Sequence, residues 1–512
     1  MNFIDELNKT LDSEYNISVT ENGAVGYKTT NHQILDMNFK VASYRHMSED
    51  EIISDFIKAY NENPVVAIKW LFYARDVRSG LGERRLFRVA FKYIANLKPI
   101  VAERLLSLIA EYGRYDDLID LLGTSVDGAV IGLLKSTIKQ DLINYRDGKS
   151  VSLLAKWMPS VNTSSEKSRA TARRLAKSFG ITERQYRKAL SLLRSRIDIV
   201  EKKMSSNHWE DIDYEAVPSK ANLLYNKAFF AHDEDRRKKF LDSVNNGDAH
   251  INSSVTFPHE IVHKYVSDSG RCGWRMRVTH TDSGLEALWK ALPNYTTEQT
   301  ITVADGSGSM FTQVDSKSKV TAIEVANALA VYTAERCSGE FKNKYITFSE
   351  RPQLVSLNGE TLADNLNIAG RYNECANTNI EAVFDLILNT AVNANMKQSD
   401  MPKNILIISD MEFDCCATCN SNRRGINGTL FNKIAERYKS HGYKIPRLIF
   451  WNVNSRTCTI PVKENDMGVA LVSGFSVNIL QMVLGDNLDP YELLLNILNS
   501  KRYQAIEDAL KG

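Results

Sequence analysis

The chain has 512 residues and carries 64 basic against 62 acidic side chains, so its formal charge is only +2. This length exceeds one ordinary core of ~150 residues and predicts two or three domains unless one is a helical array. Its seven cysteines do not describe a disulfide framework, and no apolar run is long enough for a signal sequence or a membrane span, so we expect a soluble protein of the reducing cytoplasm.

The N-terminal half has the pattern of successive helices, with no strand pattern between residues 48 and 205. The capping box Ser48-x-x-Glu51 starts the first helix, because the serine hydroxyl and the glutamate side chain satisfy each other's backbone donors. Asn63-Pro64 starts the next, with Asn as its cap and Pro at its first position. Short amphipathic helices joined by short loops predict a HEAT-like α-helical array, although the chain has no fixed-period repeat.

The period of the apolar residues changes after residue 294. The predicted elements are strands 300–304, 345–349, 354–357, 405–408 and 448–453 with helices 320–337, 380–388 and 430–439. Apolar strands interleaved with helices predict a parallel sheet covered on both faces, and Arg351-Pro352 makes the second and third strands an antiparallel edge hairpin. We therefore expect a helical array over residues 1–294 and a doubly wound, Rossmann-like α/β domain over residues 295–512.

Oxygen-bearing side chains follow the strands of this second domain. Asp305, Ser307 and Ser309 leave the first strand at alternate positions, Asp410 ends the strand at 405–408, and Thr378 lies just before a helix. The carboxyl ends of parallel strands meet at one sheet edge, where such folds bind ligands. Hard oxygen donors suit Mg²⁺, with Mn²⁺ or Ca²⁺ as alternatives. A Gly-rich turn without a metal is the competing interpretation.

This arrangement, D-x-S-x-S after the first strand, then a loop threonine, then a strand-end aspartate, resembles the metal-ion-dependent adhesion site of von Willebrand factor A (vWA) domains. The resemblance implies that Ser307, Ser309 and Thr378 ligate a metal directly and that the two aspartates act through water. It also implies that an acidic group of a protein partner completes the coordination. The chain departs from the family at Met411, where a glycine is common.

The positive charge of the N-terminal half is concentrated between residues 151 and 204, which hold 13 basic and 4 acidic side chains. Clustered Lys and Arg contact phosphates and release counterions, and aromatic residues such as Trp157 and Tyr186 can stack on bases. A solvated helix face, with both aromatics in the core, is the alternative. The predicted RNA-binding residues are Lys167, Arg169, Arg173, Arg174, Lys177, Arg187 and Lys188.

Several helix-end motifs resemble the TROVE module of the Ro family, particularly the Ro-like proteins of viruses, bacteria and eukaryotes. The resemblance covers about residues 48–512. It implies a ring of HEAT-like helices closed by a vWA domain, with small noncoding RNA on the outer surface and single-stranded ends in the hole. The motifs are Arg75-Asp76, Gly80-x-Gly82-Glu83-Arg84, Gly113-Arg114-Tyr115-Asp116-Asp117-Leu118, Lys156-Trp157-Met158-Pro159-Ser160 and Trp209-x-x-Ile212-Asp213-Tyr214.

Three functions compete. The first is a monomeric Ro-like protein that binds small noncoding or misfolded RNA and docks a protein partner through the metal; the second is a metal-dependent protein scaffold without RNA. The third, a metal-dependent hydrolase using Asp305 and Asp410, has less support. We expect no enzyme, because nucleotide-binding glycine motifs are absent and His259 and His263 lack the glutamate of a zinc protease motif.

Two further groups of residues receive structural interpretations. The charges of the helix-end motifs favour salt bridges and caps between adjacent helices over acid–base chemistry; these residues are Arg75, Asp76, Glu83, Arg114, Asp116 and Asp117. The C-x-x-C in the cluster Cys415, Cys416 and Cys419 supplies only half of a tetrahedral zinc site, which favours reduced thiols.

Overall fold

The structure is a computed structural model that describes residues 3, 7, 15–21, 25–269, 271–272, 275–295, 299–315, 318–373, 378–412, 428–461, 469–480 and 489–511. Its contacts divide the chain into two compact units. The sheet unit comprises Met1–Asn63 and Tyr214–Ile497, and the helical unit comprises Pro64–Asp213 and Leu498–Gly512. Cys415, Cys416 and Cys419 lie outside the described residues, so their role stays a prediction.

The sheet unit begins with a short hairpin and two helices. The hairpin pairs β1 (Ile17–Val19) with β2 (Val25–Tyr27) antiparallel, and α1 (Gln33–Phe39) and α2 (Glu49–Glu62) follow. The predicted capping box starts α2: the Ser48 hydroxyl accepts the Glu51 N–H at 3.3 Å and the Glu51 carboxylate accepts the Ser48 N–H at 2.7 Å. This helix start is therefore confirmed.

The helical unit contains helices and no strand among its described residues. It thereby confirms the predicted helix array. Its elements are α3 (Pro64–Arg75), α4 (Arg84–Leu97), α5 (Pro99–Tyr112), α6 (Tyr115–Ile119), α7 (Asp127–Arg146), α8 (Leu154–Trp157), α9 (Glu166–Phe179), α10 (Glu183–Arg196) and α11 (Val200–Ser205).

A buried carboxylate joins three of these helices. The Asp117 carboxylate of α6 accepts two hydrogen bonds from the Arg75 guanidinium of α3, at 2.7 and 2.9 Å. It also accepts one from Nε of Arg88 in α4, at 2.6 Å. The neighbouring Asp116 pairs with Arg114 at 2.8 and 2.9 Å. The motif charges are thus salt bridges within and between helices, as predicted.

The chain then returns to the sheet unit, whose remaining helices are α12 (Ser219–His232), α13 (Glu234–Asn246), α14 (Pro258–Ser269), α15 (Ser283–Lys290), α16 (Ala322–Arg336), α17 (Leu362–Arg371), α18 (Ile380–Asn393), α19 (Gly428–Ser440) and α20 (Pro490–Leu498). A minor pair, β3 (Arg271–Cys272) with β4 (Arg275–Met276), precedes the main sheet. The main strands are β5 (Thr300–Asp305), β6 (Lys344–Phe348), β7 (Leu354–Ser356), β8 (Asn404–Ser409), β9 (Arg447–Asn452) and β10 (Ala470–Ser473).

The main sheet has the strand order β10-β9-β8-β5-β6-β7, in which only β7 runs antiparallel. One face packs against α18 and α19 through Val383, Phe384, Ile434 and Tyr438. The other face packs against α16, which contacts β5. The doubly wound sheet and its antiparallel edge hairpin are therefore confirmed, and β10 is an additional parallel strand.

The sheet unit extends back to residue 214, whereas the sequence placed the domain boundary after residue 294. Helix α14, which precedes residue 294, packs against α16, which follows it, and so joins residues 214–294 to the rest of the sheet unit. The buried Glu286 of α15 also accepts the N–H groups of Leu362 and Ala363 at 2.9 and 3.3 Å, which satisfies the first turn of α17.

The C-terminal segment, residues 498–512, belongs to the helical unit. Its helix α21 (Gln504–Lys511) packs against α3 and α5. The buried Lys69 of α3 donates to Glu507 and, at 3.1 Å, to Asn499. Arg502 donates to Asp76 at 2.8 Å. Among the described residues, no helix combines the length and apolarity needed to cross a bilayer.

Candidate metal centre and nucleic-acid interface

The ends of β5 and β8 bring two predicted ligands together. Ala304 pairs with Ile408 in the parallel register, so Asp305 lies beside Ser409 and Asp410 follows at the same edge. The Ser409 hydroxyl donates to Asp305 Oδ2 at 2.5 Å, and the Ser307 N–H donates to Asp305 Oδ1 at 2.9 Å. These bonds turn the chain away from β5 and orient the Asp305 carboxylate.

Both serines of the motif lie in this turn. Their hydroxyl oxygens, Ser307 Oγ and Ser309 Oγ, are 3.0 Å apart, and the Ser309 hydroxyl bonds the Asp410 side chain. The structure therefore brings Asp305, Ser307, Ser309 and Asp410 together. Thr378, the fifth predicted ligand, is buried directly before Asn379, the N-cap of α18, and residues 374–377 lie outside the described chain.

The electrostatics of this edge favour an added cation. Asp410 is 1% exposed, and its Oδ2 has no hydrogen-bond partner among the described residues. Burial, followed by the charge of Asp305, raises the pKa of Asp410 to about 7, against the lowering effects of Ser309 and Arg456. A divalent ion would supply the missing positive charge, and carboxylate and hydroxyl oxygens are the donors that Mg²⁺ prefers.

The composition of this site differs from that of common side-chain metal clusters. Among the described residues, no group of three or more His, Cys, Asp or Glu side chains is placed to hold a metal ion. The candidate site has two carboxylates and at least two hydroxyls, so metal binding there depends on hydroxyl oxygens, which such clusters lack.

Three charged residues at this edge, Glu412, Arg456 and Glu21, were not predicted from the sequence. The buried Glu412 accepts the N–H groups of Arg456 and Thr457 on Oε1 at 2.8 and 2.9 Å and the Glu21 N–H on Oε2 at 2.8 Å. The Arg456 guanidinium lies 3.5 Å from Asp410 Oδ2 and 2.5 Å from the Glu21 carboxylate. From the sequence, only Glu412 could have been suspected, because it is an acidic residue two positions after Asp410.

Met411 stands where vWA domains commonly have glycine, and its backbone shows why. Its φ is 62°, in the left-handed region that glycine adopts without strain. The Met411 N–H donates to the Ser409 hydroxyl at 3.0 Å. The departure in sequence therefore preserves the turn that presents Asp410.

The predicted RNA-binding residues lie on two consecutive helices, which we call the basic hairpin (residues 166–196). Gly180, with φ 73°, ends α9, and a capping box between Thr182 and Gln185 starts α10. Most apolar side chains of the two helices are buried, and most of the basic side chains are exposed. The buried residues are Ala172, Leu175, Ala176, Phe179, Tyr186, Leu190 and Leu193.

Three of the seven predicted residues are already engaged within the unit. Arg169 donates to the carbonyls of residues 163 and 164, both at 2.8 Å. Arg173 lies 3.4 Å from Glu183, and Arg174 lies 2.6 Å from Asp127. Arg173 and Arg174 are exposed, so these bridges leave part of each guanidinium in solvent.

The other four predicted residues, Lys167, Lys177, Arg187 and Lys188, are exposed. Their side chains make no hydrogen bond or ion pair with the described residues. Arg184, also exposed, extends the same surface. These cations are the part of the basic hairpin that is available to an external anion.

The two aromatic residues of this region differ. Tyr186 is 1% exposed and its hydroxyl donates to the Pro159 carbonyl at 3.0 Å, so it is a core residue. Trp157 is half-buried, with the Arg114 guanidinium 4.2 Å from its ring centroid. Arg194 holds the surrounding motif through the carbonyls of residues 155 and 158 at 2.8 and 2.7 Å.

Fold and site together define a class: a helical unit combined with a doubly wound, vWA-like sheet that has an oxygen-donor cluster at its carboxyl edge. Residues 20–140 and 128–305 match the family described as domain of unknown function DUF2828, and residues 299–504 match the domain of unknown function DUF7788. The chain therefore belongs to the DUF2828 family.

Two individual proteins are similar to this chain. An uncharacterized protein of Acanthamoeba polyphaga mimivirus is 29% identical over 526 aligned residues, covering 94% of this chain and 87% of the viral protein. The crystal structure of the Deinococcus radiodurans Ro (RSR) protein matches 88% of this chain and 92% of its own, at 10% identity and a TM-score of 0.31. A TM-score of that size does not establish a common fold, so the Ro resemblance stays a prediction.

Proposed function

We propose that this protein binds small noncoding or misfolded RNA through its basic hairpin. We also propose that it binds a divalent cation, Mg²⁺ in the first instance, through Asp305, Ser307, Ser309, Thr378 and Asp410. The cation then provides a docking point for an acidic group of a protein partner. The two activities rest on different units and are tested separately.

The unpaired cations of the basic hairpin support RNA binding. Arg173 and Arg174 must each give up an internal ion pair to contact a phosphate. The four unpaired cations contact a phosphate without that loss; they are Lys167, Lys177, Arg187 and Lys188. Each phosphate contact releases condensed counterions, which makes such a surface a favourable place for a polyanion. A half-buried aromatic, Trp157, lies in the same unit and offers a surface for stacking.

RNA binding is tested by charge reversal of unpaired residues. We expect Lys177→Glu, Arg187→Glu and Lys188→Glu together to weaken binding of a stem–loop RNA with a single-stranded tail. The negative slope of log K against log salt should become shallower by ~2–3, because each lost phosphate contact removes ~0.7–0.9 from its magnitude. The thermal melting temperature should change little, because exposed charges contribute less than ~1 kcal/mol each.

A matched control makes the same charge change elsewhere. Lys239, Lys290 and Lys439 are exposed lysines of the sheet unit, and their replacement by Glu should leave RNA affinity close to wild type. Equal losses in the two triple variants would show that net charge alone governs binding. Wild-type affinity in the hairpin variant would leave the metal-dependent scaffold without RNA as the better function.

The buried, unsatisfied Asp410 Oδ2 supports the metal site. We expect Mn²⁺, used as a spectroscopic substitute for Mg²⁺, to bind the whole protein and to raise its melting temperature as its concentration passes the dissociation constant. Asp305→Ala should remove both effects. Glu360→Gln, an exposed carboxylate change in the same unit, should preserve them. A wild-type protein without a bound Mn²⁺ signal in electron paramagnetic resonance would contradict the site.

The two roles are separable by Thr378→Ala. This variant should weaken Mn²⁺ binding and the docking of an acidic partner, yet leave RNA affinity within about twofold of wild type, since the basic hairpin lies in the other unit. Equal loss of metal and RNA binding would show one shared function. Turnover of a phosphoester would instead favour the hydrolase.

A further inference from the structure

One buried carboxylate fixes the backbone of two charged residues at the metal edge. Glu412 accepts the N–H of Arg456 on one oxygen and the N–H of Glu21 on the other, both at 2.8 Å. Thr457 adds its N–H at 2.9 Å and its hydroxyl at 3.0 and 3.1 Å. Such a set of bonds holds the two chain segments in a fixed relation.

The hairpin that carries Glu21 is anchored to the same loop. Tyr27 and Ile460 exchange backbone hydrogen bonds at 2.8 and 2.9 Å, and the hydroxyls of Ser18 and Thr459 are 2.9 Å apart. A Cβ at Gly26 would lie 2.6 Å from the Ile460 carbonyl oxygen, so the two backbones approach closely. Glu21 is therefore held at the edge by main-chain contacts that are independent of its side chain.

The side chains form a row that leads from the interior to solvent. Asp410 is buried, the Arg456 side chain is 30% exposed, and the Glu21 side chain is 58% exposed. The guanidinium contacts the buried carboxylate at 3.5 Å and the exposed one at 2.5 Å. Both contacts are made by Nη2 of Arg456, so this guanidinium already holds a carboxylate immediately beside the metal edge.

Charge balance distinguishes Glu21 from the other carboxylates. One divalent cation together with Arg456 would balance the three negative charges of Asp305, Asp410 and Glu412. The Glu21 carboxylate is surplus to that balance, and an incoming carboxylate could replace it on Arg456 without changing the local charge. A planar guanidinium is suited to receive a carboxylate on two nitrogens.

We propose that Arg456 receives the carboxylate of an acidic protein partner beside the metal, and that Glu21 is an internal competitor for the same position. This inference deepens the proposed docking function and rests on it. In this arrangement Arg456 makes the site specific for a carboxylate, and Glu21 lowers the affinity for the partner by competing with it.

The test uses the full chain, saturating Mn²⁺ and a fluorescein-labelled hexaglutamate peptide, with hexaglutamine as the uncharged probe. We expect Arg456→Gln to weaken hexaglutamate binding about tenfold, the scale of losing one charge-assisted contact. Glu21→Gln should tighten it by about two- to fivefold, because an exposed ion pair that competes is removed. Neither change should alter the weak binding of hexaglutamine.

Matched controls separate local contacts from net charge. Arg351→Gln and Glu360→Gln make the same charge changes at exposed positions of the same unit and should change hexaglutamate affinity by less than about twofold. Arg456→Lys should retain part of the affinity, because it keeps the charge without the planar donor pair. In the double variant of Glu21 and Arg456 the gain from Glu21→Gln should disappear, since both act at one position.

The outcomes distinguish this inference from the metal function. If Arg456→Gln binds hexaglutamate as wild type does while Mn²⁺ binding is intact, the inference is overturned and the metal site stands. If wild type binds no Mn²⁺, the metal function fails, and the effect of Arg456→Gln on peptide binding in EDTA decides the inference alone. Equal effects of Glu21→Gln and Glu360→Gln would also overturn the role of Glu21.

Discussion

At the scale of single residues, Met411 combines a strained backbone with a buried side chain. Its φ of 62° is a conformation that glycine adopts freely, yet its side chain is 1% exposed in the sheet-unit core. Left-handed strain costs a non-glycine residue ~1–2 kcal/mol, whereas truncation of a buried methionine costs ~2–5 kcal/mol. Core packing therefore outweighs the strain at this position.

We expect Met411→Gly to destabilise the protein by ~1–3 kcal/mol, the difference between lost packing and relieved strain. Urea unfolding measures this change. Mn²⁺ affinity should be retained, because glycine keeps the turn that presents Asp410. A Met411→Gly protein as stable as wild type would show that the strain is larger, or the packing weaker, than its burial indicates.

His259 is a second residue whose surroundings oppose its charged form. It is 7% exposed, its ring packs edge-on against Phe475 at 4.9 Å, and its Nδ1 has no hydrogen-bond partner among the described residues. Burial, followed by the nearby charges of Arg45, Lys220 and His263, holds the pKa of His259 well below its usual value. His259 is thus neutral in the folded state.

The unfolded chain binds a proton at His259 near pH 6.5 and the folded chain does not, so stability falls as pH decreases below that value. The loss reaches ~1.4 kcal/mol per pH unit from this residue. We expect His259→Phe to flatten the decline in melting temperature between pH 6.5 and 5. An unchanged acid profile in the variant would mean that other groups dominate this range.

At the scale of secondary-structure elements, Asp117 is the junction of three helices. Its side chain is fully buried and binds Arg75 and Arg88 from α3 and α4. It also accepts the Arg114 N–H at 3.0 Å, which caps its own helix α6. One carboxylate therefore determines how three short helices meet.

We expect Asp117→Asn to destabilise the helical unit by ~3–5 kcal/mol, because it leaves the Arg75 guanidinium buried without a counter-charge. Asp116→Asn is the matched control. Its side chain is 23% exposed, so its loss should cost less than ~1 kcal/mol. Chemical denaturation of the two variants gives the comparison, and similar losses would contradict a special role for the buried position.

At the scale of the whole molecule, the helical unit depends on the end of the chain. Tyr503 is 1% exposed, its ring lies 5.9 Å from that of Tyr73 and 5.8 Å from that of Tyr112, and its hydroxyl donates to Asp76 at 3.4 Å. These partners are hundreds of residues away in sequence. The C-terminal segment is thus a part of the core formed by α3 and α5.

We expect Tyr503→Ala to destabilise the helical unit by ~3–5 kcal/mol, as for other large buried aromatics. Hydrogen exchange should show the loss of protection in α3 and α5. Lys501→Ala, an exposed change two residues away, should leave exchange unchanged. Protection that persists in α3 after Tyr503→Ala would mean that α21 is dispensable.

The sequence alone determined the features that depend on local patterns. Capping residues and apolar spacing predicted α2 and α3, and apolar runs predicted β5, β8 and β9, because these signals act over a few residues. Asp305, Ser307, Ser309 and Asp410 were predictable because strand ends in a parallel sheet share one edge.

Only the tertiary structure decided the features that depend on distant partners. It showed that Glu412 fixes Arg456 and Glu21, that Tyr186 is core, and that Arg173 and Arg174 are paired while Lys177 is not. It also placed residues 498–512 in the helical unit. Such contacts join positions far apart in the chain, and no local propensity encodes which charges meet or which helix a terminal segment covers.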